Sequence, residues 1–410
     1  MYHFSASHSL STLVTHVGED DNPHHTHVSP IYQTSTFNFP DVATGAGIVA
    51  RTDPGYYYTR LGNPNLDHLA RKIAVLEGLD LIRLQPEADP TSLVAGQVFG
   101  SGMAAISAVL LSRLKAGDTI VAQEAVYAAT FTFLKELAPS LGIQVEWVRD
   151  ISPSGWEAAF TAYPGAKLAY AETPANPTMA VVDLKAVADI AHRHAAWLAV
   201  DNTFATPYCQ RPLSLGADIV VHSTTKFLSG HGALTGGAVV SSHPDYIKKS
   251  LYTFVKVLGG IPSPFDSWLA NLGLKTFSLR MQRHCENAMG VARFLSTHPA
   301  VATVYYPGLE NDPGYEVALR QMHAFGGMLS FELKGGMQAG IRLMERVRLA
   351  TLAVSLGNVD TLIEHPASMT HGPVPREDRL NQGITDGLVR LSVGIEDLAD
   401  ILADLEQGLR

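Results

Sequence analysis

A lysine with unusual neighbours lies in the segment Val220–Gly232, which reads VVHSTTKFLSGHG. An apolar run typical of a buried strand ends there, and Lys226 follows among hydroxyl side chains and glycines. An amine held at the end of a buried strand can attack an aldehyde and form a Schiff base. The same lysine can also begin a solvated segment, so its role depends on what other strands bring to it.

Polar side chains follow the other predicted strands at the same point. The runs WLAVDN and LAYAETPANP and the segment before Lys226 supply them: Asp201, Asn176, Ser223 and Thr225. Ligands of open α/β sheets bind beyond the carboxyl ends of the strands. We therefore expect these side chains to share one crevice with Lys226. Taken alone, Asp201 can equally cap a loop or pair with an arginine.

The segment GSGM, which contains Gly102 and Met103, joins a predicted strand to a predicted helix. The first N–H groups of a helix can bind phosphate, although a glycine there also serves turn geometry alone. The hydroxyls of Ser223 and Thr225 can donate to the same phosphate, and a strand-end aspartate can keep a pyridine nitrogen protonated. With a reactive lysine, these groups match the needs of pyridoxal 5′-phosphate (PLP). Their joint occurrence favours that cofactor over separate structural explanations.

The elements that must position these groups follow an α/β pattern. Apolar strands alternate with helices through residues 63–262, which predicts a mostly parallel sheet covered on both faces. Longer helices and fewer strands follow in residues 263–410, which predicts a smaller α+β domain. Residues 1–62 show no sustained period and predict an irregular N-terminal arm. The proline-containing stretch Ile82–Ser92 predicts a loop.

Composition excludes several classes of protein. The chain has 410 residues, a net charge of −9 and 46% hydrophobic residues, so it can bury a large core and has no basic footprint for nucleic acid. No basic segment precedes an apolar run at the N-terminus, and no apolar run reaches membrane-spanning length. Two cysteines suit a reducing, cytoplasmic location. His24, His25 and His27 favour a polar arm over a metal site, because other ligands at suitable spacing are missing.

Ordered motifs along nearly the whole chain resemble one enzyme family. They are YTRLGNP, SGMAAI, ETPANPTM, VDNTFATP, QRPLSLGADIVVHSTTKFLSGHG, SPFD, LKT, YYPGL, HPASMTH and LVRLSVGIED. The chain resembles the Cys/Met metabolism PLP-dependent enzymes, which include methionine γ-lyase, cystathionine γ-lyase, cystathionine γ-synthase and O-acylhomoserine sulfhydrylase. The resemblance implies the PLP-dependent transferase fold type I, which is the fold of aspartate aminotransferase. Compared with most members of that family, residues 79–96 form an insertion.

The resemblance also implies roles for single residues. Lys226 would be the Schiff-base lysine and proton shuttle, and Asp201 would pair with the pyridine nitrogen. Tyr127, in AVYAATF, would stack on the PLP ring and act as an acid or base near the γ-leaving group. The phosphate would be bound by Gly102, Met103, Ser223 and Thr225.

Further implied roles concern the substrate and a second subunit. Arg390, in LVRLSVG, resembles the residue that binds the substrate α-carboxylate, a task that suits a planar bidentate donor. Asn176 and Ser355 would assist it. Tyr58 and Arg60 match the segment that reaches the phosphate of a neighbouring subunit. The family pattern therefore implies at least a homodimer, and usually a tetramer built from two dimers.

The resemblance implies γ-elimination or γ-replacement on sulfur-containing or O-acylated homoserine-type amino acids. Val354 stands before Ser355, where the cystathionine enzymes commonly carry glutamate, which favours a methionine γ-lyase-like carbon–sulfur lyase. Ala129 and Ala233 differ from the cysteine and aspartate typical of methionine γ-lyases. Cystathionine γ-synthase or γ-lyase and O-acetylhomoserine sulfhydrylase therefore stay open, as does a PLP-binding homologue without turnover.

Overall fold

The computed structural model describes residues 5, 7–19, 25–372 and 375–410. His24 lies outside these residues, whereas His25 and His27 are exposed to solvent. In the described part of the chain, no helix is long and apolar enough to span a membrane.

A seven-stranded mixed sheet forms the centre of the larger part of the chain. Its strands are β1 Ala95–Phe99, β2 Thr119–Gln123, β3 Gln144–Val148, β4 Leu168–Glu172, β5 Trp197–Asp201, β6 Ile219–Ser223 and β7 Gly237–Ser241. Their order is β1-β7-β6-β5-β4-β2-β3. Only β7 pairs antiparallel to its neighbours, so the predicted mostly parallel sheet is confirmed.

Helices cover both faces of this sheet, as the apolar strands predict. On β6, Val220 packs in the cluster that contains Ile73, whereas Val221 packs in the cluster that contains Val109. The helices up to this sheet's last strand are α1 Leu10–His16, α2 Val42–Ala50, α3 Pro64–Glu77, α4 Leu79–Leu84, α5 Pro90–Leu93, α6 Gly102–Arg113, α7 Ala128–Thr132, α8 Ala138–Ser140, α9 Pro153–Ala162, α10 Leu184–Arg193 and α11 Thr206–Cys209.

A second, five-stranded sheet forms the smaller α+β part. Its strands are β8 Val301–Tyr305, β9 Met328–Leu333, β10 Thr351–Leu352, β11 Leu362–Glu364 and β12 Leu388–Ser392, in the order β10-β11-β12-β9-β8. The remaining helices are α12 Tyr252–Leu258, α13 Pro264–Leu274, α14 Phe277–Thr297, α15 Tyr315–Gln321, α16 Gly336–Arg346, α17 Arg376–Asn381 and α18 Leu398–Leu409. The α+β prediction is confirmed, and the boundaries at residues 62 and 262 stay a prediction.

Two segments that we predicted to be irregular contain short helices, so that prediction was wrong in part. The arm holds α1, which buries Leu13 and Val14, and α2, where the Asp41 side chain accepts from Thr44 N at 2.7 Å. The insertion holds α4 and α5, and Asp89 caps α5. Helices of one or two turns are too short to display a hydrophobic period, which is why the sequence pattern missed them.

Candidate active site

Two carboxyl groups lie side by side at the ends of β4 and β5. Glu172 and Asp201 are register partners in the parallel pair, and both side chains are buried. Burial, followed by the charge of Asp201, raises the pKa of Glu172 to about 8. Burial also raises the pKa of Asp201, while its Oδ1 accepts from Thr203 N at 3.0 Å. The sheet edge therefore concentrates acid groups that resist ionising together.

Lys226 extends from the end of β6 into the same edge. Its Nζ donates to Ser355 Oγ at 2.6 Å, which joins the first sheet to the loop before β11. Burial, followed by the positive charge of Arg390, lowers the pKa of Lys226 to about 8, and Glu364 acts in the opposite direction. A lysine with this pKa provides neutral, nucleophilic amine at a much lower pH than an exposed lysine does.

The depressed pKa predicts how the PLP-free protein will take up PLP. The rate of attachment should rise about tenfold per pH unit below pH 8 and level off above it, because only the neutral amine reacts. Stopped-flow absorbance after mixing with PLP measures this rate. Nα-acetyl-lysine, whose ordinary pKa is about 10.4, is the control and should keep accelerating beyond pH 9. A protein rate that follows the control would contradict a depressed pKa at Lys226.

The backbone that follows Lys226 is fixed by a helix of the second part of the chain. The α14 residue Arg280 donates from Nη1 to Phe227 O at 2.8 Å. Gly230 has a φ of +72°, and a Cβ there would lie 2.0 Å from Arg280 Nη1. Gly357 also packs closely against this segment, because its Cβ would lie 2.5 Å from Phe227 N. Glycine is therefore needed at both positions, and the backbone after Lys226 is packed on two sides by the second part of the chain.

The beginning of α6 and the end of β6 form the expected phosphate site. A Cβ on Gly102 would lie 2.9 Å from Ser223 Cβ, so the glycine keeps open the space between helix and strand. Ser101 caps α6 by accepting from Ala104 N at 3.0 Å, and the first N–H groups of the helix remain as donors. The Thr225 hydroxyl accepts from Gly236 N at 3.0 Å and donates to Gly236 O at 3.3 Å. The space and the donor set fit a phosphate group, and Ser223 offers the less engaged hydroxyl.

Arg390 on β12 forms the opposite wall of the crevice. Its Nη1 donates to Asn176 Oδ1 at 2.9 Å, and its Nη2 donates to Ser355 O at 2.8 Å. Ser355 has a φ of +83°, an unusual conformation for a residue with a side chain. That backbone directs the Ser355 carbonyl to Arg390 and its hydroxyl to Lys226. The three predicted substrate residues, Asn176, Ser355 and Arg390, are thus in direct contact.

Tyr127 stands at the mouth of this crevice. Its backbone N–H donates to Glu172 Oε2 at 2.8 Å, and 44% of the residue is exposed. It is close enough to Arg390 to interact with it electrostatically. Met103, in the first turn of α6, lies beneath this segment with its Sδ 3.8 Å from Thr130 Oγ1. The stacking role of Tyr127 stays a prediction.

Tyr58 and Arg60 occupy a different place from the other predicted site residues. The Arg60 guanidinium lies 5.4 Å from the centre of the Tyr58 ring and donates to the backbone O of Lys256. These contacts do not bring either side chain to Lys226 or Asp201. The prediction that they serve a neighbouring subunit is not tested by a single chain.

Three site residues escaped the sequence reasoning: Glu172, Arg280 and Glu364. Glu172 had a detectable signal, since it ends an apolar strand just as Asp201 does. Glu364 pairs with Arg390 across two antiparallel strands, so only the register brings them together. Arg280 lies in a helix more than fifty positions beyond Lys226 and gave no local signal.

Comparison with known proteins decides the family. The sequence profile described as "Cys/Met metabolism PLP-dependent enzyme" matches residues 11–410. The chain belongs to this family. Its members are PLP-dependent, so PLP is the cofactor of this enzyme and the enzyme acts in cysteine and methionine metabolism. The crevice described above, with a partly buried lysine, a strand-end carboxyl and a helix N-terminus kept open by glycine, fits that cofactor.

Individual relatives agree with the family assignment. L-methionine gamma-lyase of Porphyromonas gingivalis is 48% identical over 402 residues, which cover 98% of this chain and 96% of that protein. Cystathionine gamma-lyase of Bacillus subtilis is 43% identical over 380 residues, 93% of each chain. The crystal structure of cystathionine gamma synthase from Xanthomonas oryzae pv. oryzae with aminoacrylate and cysteine is 38% identical, covers 98% of each chain and gives a TM-score of 0.89. The predicted family and fold type I are confirmed.

Proposed function

We propose that this enzyme cleaves the bond between Cγ and the heteroatom of a sulfur-containing amino acid, with L-methionine as the lead substrate. The observation that carries the proposal is the short contact between Lys226 Nζ and Ser355 Oγ, 2.6 Å, beside Arg390. It places a neutralisable amine next to a guanidinium that can hold an α-carboxylate. A carbon bonded to both an amine and that carboxylate would lie between them.

The residues predicted from the sequence each have a task in this proposal. Bound PLP supplies an aldehyde for amines and a ring that accepts electrons from the α-carbon. Arg390 and Asn176 hold the substrate carboxylate, and Ser355 keeps Lys226 pointed at the α-carbon. Lys226, with its lowered pKa, would accept the α-proton as a neutral amine. A proton must also leave Cβ, because its electron pair forms the new bond to Cγ when the Cγ–S bond breaks.

The remaining groups hold the cofactor and the leaving group. Asp201 would pair with the ring nitrogen of PLP, and the helix N-terminus at Gly102 and Met103 would bind the phosphate with help from Ser223 and Thr225. Tyr127, partly exposed at the crevice mouth, would stack on the ring and supply the proton that the departing sulfur needs. Release of the remaining fragment by water gives a keto acid and ammonia.

The proposal includes a homo-oligomer, a dimer of dimers, in which Tyr58 and Arg60 of one subunit reach the phosphate site of its neighbour. Tyr58 is 41% exposed in the single chain, which leaves its ring available to a second subunit. A cytoplasmic location belongs to the same proposal, because both cysteines of the chain are free thiols.

A second candidate is γ-replacement, in which a thiol takes the place of the leaving group. The similarity to cystathionine gamma synthase from Xanthomonas oryzae pv. oryzae, with its TM-score of 0.89, favours this alternative. Val354, which is 55% exposed beside Ser355, favours the elimination instead. An apolar side chain there suits a thioether better than the second, charged end of cystathionine.

Parallel assays with three substrates distinguish elimination from replacement. The enzyme should be offered methionine, cystathionine and O-acetylhomoserine, each with and without an added thiol, while keto acid and new thioether are both measured. We expect keto acid and a volatile thiol from methionine without any added nucleophile. New thioether without keto acid would replace the lyase by a γ-replacement transferase. Turnover of none of the three, with PLP bound, would indicate a non-catalytic homologue.

A further inference from the structure

Glu364 is a buried carboxylate that has no task in the mechanism above. It ends β11, where it is the register partner of Arg390 on β12, and only 1% of it is exposed. Its Oε2 forms an ion pair with Arg390 Nη2, and its Oε1 accepts from the Thr370 hydroxyl. One oxygen of the carboxylate is therefore held by a threonine, and the other oxygen is directed at the guanidinium.

This ion pair occupies some of the N–H donors of the Arg390 guanidinium. Arginine has five N–H donors, two of them on Nη2. Ser355 O and Glu364 Oε2 both contact Nη2, and Asn176 Oδ1 occupies one donor of Nη1. A substrate carboxylate must therefore bind a guanidinium whose charge Glu364 already balances. Two carboxylates on one guanidinium repel each other in a buried site.

We propose that Glu364 is a positioning residue that both orients Arg390 and limits the affinity of the crevice for the substrate α-carboxylate. This inference rests on the proposed role of Arg390 and deepens it. Weak carboxylate binding suits turnover, because binding energy spent equally on substrate and transition state does not raise kcat.

Replacing Glu364 with glutamine separates charge from orientation. The amide oxygen can still face Arg390 Nη2, whereas the negative charge is gone. We expect L-alanine, an amino acid without a γ-leaving group, to bind the Glu364→Gln holoenzyme about tenfold more tightly than wild type. In Glu364→Ala the orienting acceptor is also lost, and alanine should bind about tenfold more weakly than to the glutamine variant.

Titration of the bound cofactor's absorbance with L-alanine and with ethylamine measures both effects. Ethylamine is alanine without its carboxylate, so its affinity should be the same in wild type and Glu364→Gln. Equal gains for both probes, or no gain for alanine, would overturn the inference. Equal alanine affinity in the alanine and glutamine variants would refute the orienting role.

A matched control keeps the negative charge of Glu364 and removes the hydrogen bond that Thr370 donates to it. Thr370→Val removes the hydroxyl that holds Glu364, and we expect no tightening of alanine binding. A gain like that of the glutamine variant would overturn the inference, since it would show that packing rather than charge sets the affinity. If Arg390 does not bind the substrate carboxylate, the result is different: alanine and ethylamine will bind the wild type with equal affinity.

Discussion

Replacing Lys226 with alanine will remove the covalent attachment of PLP and lower turnover by about 10²–10⁴-fold or more. The Lys226 Nζ is the proposed reactive amine at the strand ends of the first sheet, and it donates a hydrogen bond to Ser355. Its removal deletes both the attachment point and the base for the α-proton. The remaining contacts with the phosphate and the ring can still bind PLP non-covalently. Turnover will therefore fall by a larger factor than the amount of bound PLP.

Borohydride reduction followed by peptide mass mapping locates the attachment directly. The reduced adduct is expected on the peptide that contains Lys226 in wild type and on no peptide of Lys226→Ala. Lys249→Ala is the matched control, because Lys249 is exposed and pairs with Asp245 four residues earlier on the surface. Its adduct and turnover should equal those of wild type. An adduct on another lysine of wild type would end the assignment of Lys226.

Replacing Arg390 with alanine will have two separable effects. The variant leaves Glu364 buried without its partner, and removing one member of a buried ion pair costs about 3–5 kcal/mol of unfolding free energy. It also removes the charged donor for the substrate carboxylate, which raises KM by about 10- to 100-fold. Denaturant unfolding measures the first effect and steady-state kinetics the second.

The double variant Arg390→Ala with Glu364→Gln distinguishes these effects. Neutralising Glu364 should restore much of the lost stability, because no uncompensated charge stays buried. It should not restore KM, since the guanidinium is still absent. Recovery of both quantities together would contradict the proposed contact between Arg390 and the substrate, and would leave Arg390 with a purely structural role.

Most of the site was predictable because its residues stand at strand ends. Lys226, Asp201 and Asn176 each follow an apolar run, and parallel strands bring such ends to one edge. Gly102 was predictable for a similar reason, because it joins a strand to a helix. The motif resemblance extended the prediction of site residues to Arg390 and Ser355, which lie far from Lys226 in the sequence.

The rest of the site depends on tertiary contacts that no local pattern records. The pairing of Glu364 with Arg390 arises from the register of two antiparallel strands in the second sheet. The raised pKa of Glu172 arises from its burial next to Asp201 on the adjacent strand. The short helices of the arm were missed because one or two turns show no period, and their caps were the only available signal.

The grip of Arg280 on the segment after Lys226 limits how this enzyme can be recombined. Its guanidinium donates to Phe227 O and to Leu228 O, and Gly230 leaves room for it. A fragment that ends with the first sheet would carry the lysine but not the side chain that holds its backbone. Chimeras that exchange the C-terminal half between relatives should therefore stay active only if the incoming half carries an arginine at this position. The segment after Lys226 and the arginine that holds it should therefore be inherited together.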